Sequence, residues 1–199
     1  MTVRLPPHPR GLRIGLLGGS FDPPHEGHLA ISRIALRRLK LDRVWWLVTP
    51  GNPLKDVARL PALEARLAAC RALARHPRII MSDVEAQIGA RYTYDTLRYL
   101  VRRCPGAKLV WIMGADNLTS FHRWGHWRDI ARLVPIAVID RPGATLKASG
   151  ARGAQALSPY RIAERNAPLL AGSRPPAFLF LHARRFAQSS TALRAARKN

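Results

Sequence analysis

Two histidines three positions apart, His25 and His28, are the first residues of the chain whose types and spacing suggest chemistry. They lie in the stretch GGSFDPPHEGH (18–28), between an apolar run and an amphipathic one. Imidazoles at the start of a helix donate hydrogen bonds to phosphate oxygens and stabilise negative charge that develops in a transition state. Gly18 and Gly19 let backbone N–H groups come close to a ligand. The stretch therefore predicts a phosphate-binding site.

Other phosphate and metal motifs do not fit this stretch. The chain contains no GxxxxGK followed by Ser or Thr, so it has no Walker loop. The dinucleotide fingerprint GxGxxG fails because positions 15, 17 and 20 are Gly, Leu and Ser. A zinc site needs three or four protein ligands. His25 and His28 have no third ligand nearby in sequence, so we expect no metal ion held by protein side chains.

The elements that must position these residues follow from apolar runs. Six near-continuous runs predict strands that are buried on both faces; they cover 13–18, 43–48, 78–82, 108–113, 134–139 and 177–182. Helical patterns lie between them, over 28–40, 60–76 and, with a threonine cap, 93–103. This alternation predicts an α/β fold with a Rossmann-like, doubly wound parallel sheet. Its ligands would bind at the carboxyl ends of the strands.

One domain is expected over residues 1–199, with 1–12 flexible and a flexible loop over 141–159. No apolar run approaches the ~20 residues that span a bilayer. Cys70 and Cys104 form no CxxC pair, which fits buried thiols in a reducing cytoplasm.

The charge of the chain is strongly positive. Lys and Arg number 33 against 12 Asp and Glu, a net charge of +21. Such a surface attracts polyanions, among them nucleotides, pyrophosphate, nucleic acid and anionic lipid. The charge alone does not identify the partner.

The stretch GGSFDPPHEGH resembles the HxGH signature of nucleotidyltransferases, in the form used by the bacterial nicotinate-nucleotide adenylyltransferase family. Later segments resemble motifs of that family in the same order: PGNPLKD (50–56), YTYDTL (92–97), IMGADNL (112–118), FHRWGHWRDI (121–130) and QSSTALR (188–194). Leu54 stands where the family pattern has histidine. Related adenylyltransferases share the first and last motifs, whereas the motifs between them favour the pyridine-nucleotide branch.

The resemblance implies the nucleotidyltransferase fold and an adenylyl transfer in NAD biosynthesis. Nicotinate mononucleotide would react with ATP to give nicotinate adenine dinucleotide and pyrophosphate. The implied cofactor is Mg²⁺, held mainly by the ATP phosphates. The implied partners are these two small substrates, with no specific nucleic acid and no membrane. Cytoplasmic location follows, and the oligomeric state is left open.

The resemblance also assigns residues to ATP. His25, His28 and Arg194 are the implied catalytic residues, with both histidines on the ATP phosphates. Ser190 and Thr191 open a helix that suits the β- and γ-phosphates, and Arg194 would clamp the leaving pyrophosphate. Backbone contacts are expected from the glycine loop, which consists of Gly18, Gly19, Ser20 and Phe21. Asp116 is expected on the ATP ribose.

A second group of residues is implied for the mononucleotide. Tyr92, Thr93 and Tyr94 lie at a helix start, whose amides suit the nicotinate carboxylate. Trp124 is expected to stack on the pyridine ring. Lys55 is expected to meet the mononucleotide phosphate.

Other aromatic residues receive structural interpretations. Trp45, Trp46 and Trp111 lie in strand runs and are expected in the core. His122 and His126 flank a segment broken by Gly125 and are expected on the surface.

Two other functions remain open from the sequence. Phosphopantetheine adenylyltransferase shares the fold and the SSTxxR ending, but it normally has threonine where this chain has His25. A non-catalytic basic RNA-binding protein would explain the +21 charge, and its binding would depend steeply on salt.

Overall fold

The computed structural model of the protein describes residues 2–51, 60–140 and 150–182. Within these residues, seven strands form one parallel sheet in the order β3-β2-β1-β4-β5-β7-β6. The strands are β1 (Arg13–Gly19), β2 (Arg43–Val48), β3 (Ile79–Ser82), β4 (Lys108–Gly114), β5 (Ile136–Ile139), β6 (Arg161–Ile162) and β7 (Phe178–Leu181). The six predicted strands are confirmed, and the parallel α/β fold with them. The two-residue β6 was not predicted.

The described helices cover both faces of the sheet. The α-helices are α1 (Glu26–Arg38), α2 (Leu63–Leu73), α3 (Val84–Ile88), α4 (Thr93–Arg103), α5 (Ala115–Ser120), α6 (Trp127–Leu133) and α7 (Arg152–Leu157). Short 3₁₀ segments span Phe121–Arg123, Ser158–Tyr160 and Glu164–Gly172. The predicted helices correspond to α1, α2 and α4, with ends that differ by up to three residues. The other four α-helices have only five to seven residues.

Alternate strand residues build two core layers, because successive side chains of a strand point to opposite faces. In β2, Trp46 joins the layer under α1 and α2, and Trp45 joins the layer under α4, α5 and α6. Trp45, Trp46 and Trp111 are at most 2% exposed, so their predicted core positions are confirmed. With both faces covered, the strands read as unbroken apolar runs.

The strand order reverses between β1 and β4. From β1 the chain builds outward through β2 and β3, and it then returns to add β4, β5 and β7 on the other side. β1 and β4 are directly paired, with Leu16 opposite Trp111. The segments that follow these two strands therefore diverge and leave a crevice at the carboxyl edge of the sheet.

Two local expectations differ from the structure. Helix α4 is capped by Tyr92, and Thr93 is its first helical residue with no side-chain cap bond. The predicted threonine cap is therefore wrong. Within the predicted loop 141–159, the structure places α7, while residues 141–149 lie outside the described residues. Within residues 1–12, the segment predicted to be flexible, Val3 and Leu5 pack against the core layer that contains α4.

A buried hydrogen-bond chain joins β2 to α1. The indole N–H of Trp46 donates to the hydroxyl oxygen of Ser32 over 2.7 Å, and that hydroxyl donates to the His28 carbonyl over 2.8 Å. Trp46 and Ser32 are both fully buried. The chain therefore fixes α1 against the strand beneath it without a polar group left unpaired there.

Substituting Ser32→Ala removes the acceptor and leaves the Trp46 N–H buried. We expect the free energy of unfolding, measured by urea denaturation, to fall by about 1–3 kcal/mol. The matched control is Ser158→Ala, where an exposed hydroxyl donates to the Gln155 carbonyl and the change is expected within about 0.5 kcal/mol. Equal effects of the two substitutions would contradict the structural role of Ser32.

Candidate active site at the carboxyl edge of the sheet

The two histidines close a reciprocal cap at the start of α1. His25 is the N-cap residue, and its Nδ1 accepts from the Gly27 N–H over 3.1 Å. His28, at the third helical position, accepts the His25 N–H on its own Nδ1 over 3.3 Å. The helix thus begins at Glu26, two residues before the predicted start. The motif satisfies two backbone donors that a helix start otherwise leaves open.

The cap also fixes the tautomer of both rings. A neutral imidazole accepts on one nitrogen and carries its proton on the other. Because Nδ1 is the acceptor in each ring, the proton of each neutral ring lies on Nε2. Their ring centroids are 3.9 Å apart. Two N–H donors therefore belong to one small region at the positive end of the α1 dipole, which suits an anionic oxygen.

Two stacked aromatic rings, those of Phe21 and Trp46, pack against the His28 ring. Phe21 is 1% exposed, and its ring stacks on Trp46 with centroids 4.8 Å apart and planes 17° apart. The His28 ring centroid lies 4.6 Å from that of Phe21. Phe21 has a φ of 48°, a left-handed conformation that costs a residue with a side chain roughly 1–2 kcal/mol. The sequence predicts only a backbone contact for Phe21, and the packing of its ring on Trp46 and His28 is a second role.

The two glycines of the loop have structural reasons of their own. A Cβ added to Gly18 would lie 2.5 Å from the Trp111 indole, so the ring occupies the space of a side chain. A Cβ on Gly19 would lie 3.3 Å from Phe21. The loop is thus closely packed against aromatic rings. Its predicted contacts to ATP, including those of Ser20, remain predictions.

Across the crevice, β4 leads directly into α5. Asp116 lies in the first turn of α5 and is exposed. Its carbonyl accepts from the Thr119 hydroxyl over 2.6 Å. This position at the strand-order reversal agrees with the predicted ribose contact, which remains a prediction.

The start of α4 and the segment before α6 meet in a second aromatic group. The amides of Asp95 and Thr96 both donate to the Tyr92 carbonyl. The amides of Thr93 and Tyr94 are therefore the ones that the first turn directs out of the helix. Tyr92 is 49% exposed, and a Cβ on Gly125 would lie 3.3 Å from its ring.

Trp124 and the histidines beside it complete this group. The Trp124 ring is partly exposed and packs edge-to-face on Phe121, with centroids 5.5 Å apart. His126 is exposed, as expected, and stacks on Tyr94 at 4.8 Å. His122 is only partly exposed, and its Nδ1 is buried, so the expectation of a surface position for it is wrong.

A buried carboxyl group that no sequence motif indicates lies between the segment after β2 and the start of α4. Glu85 is 8% exposed and lies beside the side chains of Thr49 and Thr96, whose hydroxyls donate to the Gly51 and Tyr92 carbonyls. Thr49 follows β2, and its N–H donates to the Gly19 carbonyl over 3.0 Å. Thr96 lies in the first turns of α4. Burial raises the pKa of Glu85 to about 7, against the neighbouring Thr49 and Thr96 hydroxyls, which lower it.

Four of the predicted site residues lie outside the described residues: Lys55, Ser190, Thr191 and Arg194. Among residues 2–51, 60–140 and 150–182, no three His, Cys, Asp or Glu side chains form a group that holds a metal ion. In the same parts of the chain, no helix is both long and apolar enough to cross a membrane.

The chain is similar to known proteins along most of its length. The cytidylyltransferase-like family model matches residues 16–196. A probable nicotinate-nucleotide adenylyltransferase of Methylorubrum extorquens is 61% identical over 92% of this chain and 99% of its own length. The protein of the same name from Brucella suis is 53% identical over 92% of this chain and 94% of its own length.

Solved structures share the fold. The Plasmodium falciparum nicotinic acid mononucleotide adenylyltransferase complexed with NaAD aligns over 92% of this chain and 83% of its own, with a TM-score of 0.69 at 16% identity. A putative nicotinate-nucleotide adenylyltransferase from Vibrio parahaemolyticus has a TM-score of 0.55 at 20% identity, over 67% of this chain and 77% of its own.

The raised pKa of Glu85 predicts a specific pH dependence of stability. The pKa is about 7 in the folded protein and 4.5 as its ordinary value, so the folded state binds more protons between these values. Stability from this group is therefore complete below pH 4.5 and is lost as pH rises through 7, by about 3 kcal/mol.

Glu85→Gln removes this titration and keeps the shape of the side chain. We expect the difference in free energy of unfolding between Glu85→Gln and wild type, from urea denaturation at pH 4.5 to 7.5, to shift in favour of the variant as pH rises. Parallel pH curves for the two proteins would contradict the assignment.

Proposed function

The chain belongs to the nicotinate-nucleotide adenylyltransferases of the cytidylyltransferase-like family, and we propose that it joins nicotinate mononucleotide to the adenylyl group of ATP. The products are nicotinate adenine dinucleotide and pyrophosphate, in the biosynthesis of NAD. The observation that carries the proposal is the reciprocal histidine cap beside the glycine loop, at the reversal of strand order.

The reaction is an in-line displacement at the α-phosphorus of ATP. A phosphate oxygen of the mononucleotide forms the new P–O bond, and the bond from the α-phosphorus to the bridging oxygen breaks to release pyrophosphate. The attacking phosphate is already largely ionised at neutral pH because its second pKa is about 6. The protein therefore needs no general base. Its task is to align the two phosphates and stabilise charge.

The histidine cap suits this task. With Nδ1 of each ring accepting a backbone N–H, the neutral rings of His25 and His28 carry their protons on Nε2. These N–H groups would bind the phosphates of ATP and stabilise the charge on the leaving oxygens. Gly18, Gly19, Ser20 and Phe21 would add backbone contacts. We further propose that Ser190, Thr191 and Arg194 hold the β- and γ-phosphates and that Asp116 binds the ribose.

The second substrate would lie at the start of α4. The amides of Thr93 and Tyr94 would bind the nicotinate carboxylate at the positive end of the helix dipole. Tyr92 and Trp124, both at least partly exposed, would supply aromatic surface for the pyridine ring, and Lys55 would meet the mononucleotide phosphate. To stack on the pyridine ring, Trp124 would present a face of its indole to the substrate and keep its edge-to-face contacts with Trp111 and Phe121.

Mg²⁺ would enter bound to ATP. The donors of the glycine loop and the α1 start are amides and imidazoles, which suit anionic oxygens, whereas Mg²⁺ prefers oxygen ligands. The phosphate oxygens would be its ligands, and the ion would neutralise charge on the departing pyrophosphate. The free, buried Cys70 and Cys104 support a reducing cytoplasmic location.

The direct test is an assay of ATP with nicotinate mononucleotide and Mg²⁺, with pyrophosphate and the dinucleotide as readouts. Phosphopantetheine in place of the mononucleotide tests the nearest alternative activity. Formation of nicotinate adenine dinucleotide supports the proposal. Its absence, or faster turnover of phosphopantetheine, would overturn it.

His28→Ala is expected to lower kcat at least 100-fold, because a lost transition-state donor costs roughly 3–4 kcal/mol. His28→Gln is the matched variant: its side-chain oxygen can still accept the His25 N–H and so keep the helix cap. We expect Gln to preserve the free energy of unfolding better than Ala while kcat falls. Turnover close to wild type in a folded His28→Ala protein would refute the catalytic role.

The enzyme is expected to prefer nicotinate mononucleotide over nicotinamide mononucleotide by at least about 10-fold in kcat/KM. A charge-assisted hydrogen bond is roughly twice as strong as a neutral one, and an amide would turn its own N–H donors toward those of the protein at about 1–3 kcal/mol. Kinetics with both substrates at fixed ATP and Mg²⁺ measure the ratio. Equal efficiency would mean that the α4 start does not bind the ring substituent.

A further inference from the structure

Arg66 is a buried cation whose bonds converge on the site from a neighbouring helix. It belongs to α2 and is 3% exposed. Its hydrogen bonds to the described residues go to main-chain carbonyl oxygens. Its Nη1 donates to Ser20 over 2.8 Å and to Thr49 over 2.7 Å, and its Nε donates to Pro61 over 2.9 Å.

The guanidinium thus ties two segments at the carboxyl edge of the sheet. Ser20 belongs to the glycine loop after β1, and Thr49 follows the neighbouring β2. Pro61 precedes α2, so the arginine also anchors the start of its own helix. Burying a charge is costly unless it is well hydrogen-bonded, and the arginine fork meets that demand by drawing these carbonyls inward.

The bond to Ser20 has a direct consequence for the next amide. A trans peptide is planar, so its C=O and N–H point in opposite directions. With the Ser20 carbonyl held toward Arg66, the N–H of Phe21 points away from Arg66. The left-handed φ of 48° at Phe21 belongs to this arrangement, and a residue with a side chain adopts it only where its surroundings impose it.

We propose that Arg66 is a positioning residue that holds the Ser20–Phe21 peptide in the orientation that presents the Phe21 N–H to the phosphates of ATP. Two constraints act on Phe21. Arg66 holds the preceding carbonyl, and the stack on Trp46 holds the ring. Without Arg66, rotation of the peptide relieves the left-handed strain and turns the N–H inward. The inference deepens the proposed function, on which its kinetic part rests.

The kinetic test compares two substitutions at Arg66 with a matched one. Arg66→Met removes the donors, Arg66→Lys keeps the charge but loses the fork, and Arg71→Met removes an exposed arginine of the same helix. We expect Arg66→Met to raise the KM for ATP at least about 10-fold, with the KM for nicotinate mononucleotide changed less than about 2-fold. Arg66→Lys should be intermediate, and Arg71→Met close to wild type.

The second readout follows the Phe21 amide itself. Selective ¹⁵N-phenylalanine labelling gives at most five amide signals, since the chain contains five phenylalanines, and Phe21→Leu identifies the relevant one. In wild type, ATP with Mg²⁺ and no mononucleotide should shift this signal strongly. In Arg66→Lys the shift should shrink or vanish. If Arg66→Met does not fold, Arg66→Lys decides both readouts.

The outcomes separate the inference from the proposed function. Unchanged KM for ATP and an unchanged Phe21 shift in the folded Arg66 variants would overturn the inference, as would an equal rise in both KM values. If wild type binds ATP but forms no dinucleotide, the proposed function fails, and the labelled-amide experiment still decides the role of Arg66.

Discussion

The reversal of strand order between β1 and β4 is the constraint on which the site depends. A parallel sheet must bury both faces, and its helices do so here, with Trp46 under one layer and Trp45 under the other. The faces are therefore unavailable to a ligand. Only where chains leave neighbouring strands in opposite directions does the carboxyl edge open. The glycine loop after β1 and Asp116 after β4 lie at that one point.

A site made largely of backbone amides needs those amides held still, and buried polar side chains do this here. His25 and His28 cap the start of α1, the same helix end at which they would bind phosphate. Thr49 receives three of the restraints: its N–H donates to the Gly19 carbonyl, its own carbonyl accepts from Arg66, and its hydroxyl donates to the Gly51 carbonyl. The buried Glu85 carboxyl lies beside the hydroxyls of Thr49 and of Thr96 in α4. It therefore packs between the segment that follows β2 and the start of α4, the two places where the proposed substrates meet.

The sequence predicted the parts of this arrangement that depend on local pattern. Strands buried on both faces are continuous apolar runs, and His25 and His28 stand out beside glycines. Helices α3, α5, α6 and α7 are too short for helical periodicity to show. Arg66 reads as one more arginine in a basic helix, because its acceptors are carbonyls distant in sequence. The sequence suggests that Gly18 lets a ligand approach the backbone. It does not show that the Trp111 ring, which comes from another strand, also excludes a side chain at this position.

The net charge of +21 acts at a different level from the site. Exposed arginines on the helices, such as Arg37, Arg98 and Arg132, raise the rate at which anions arrive. That attraction is the same in kind for ATP, for either mononucleotide and for RNA, so it does not select among them. To select one anion over another, the site needs hydrogen-bond donors that are held at fixed positions. Arg66 is the one buried arginine among the described residues, and it hydrogen-bonds to backbone carbonyls. It therefore bears more on the reaction than the exposed arginines do, because it sets the direction of the Phe21 N–H.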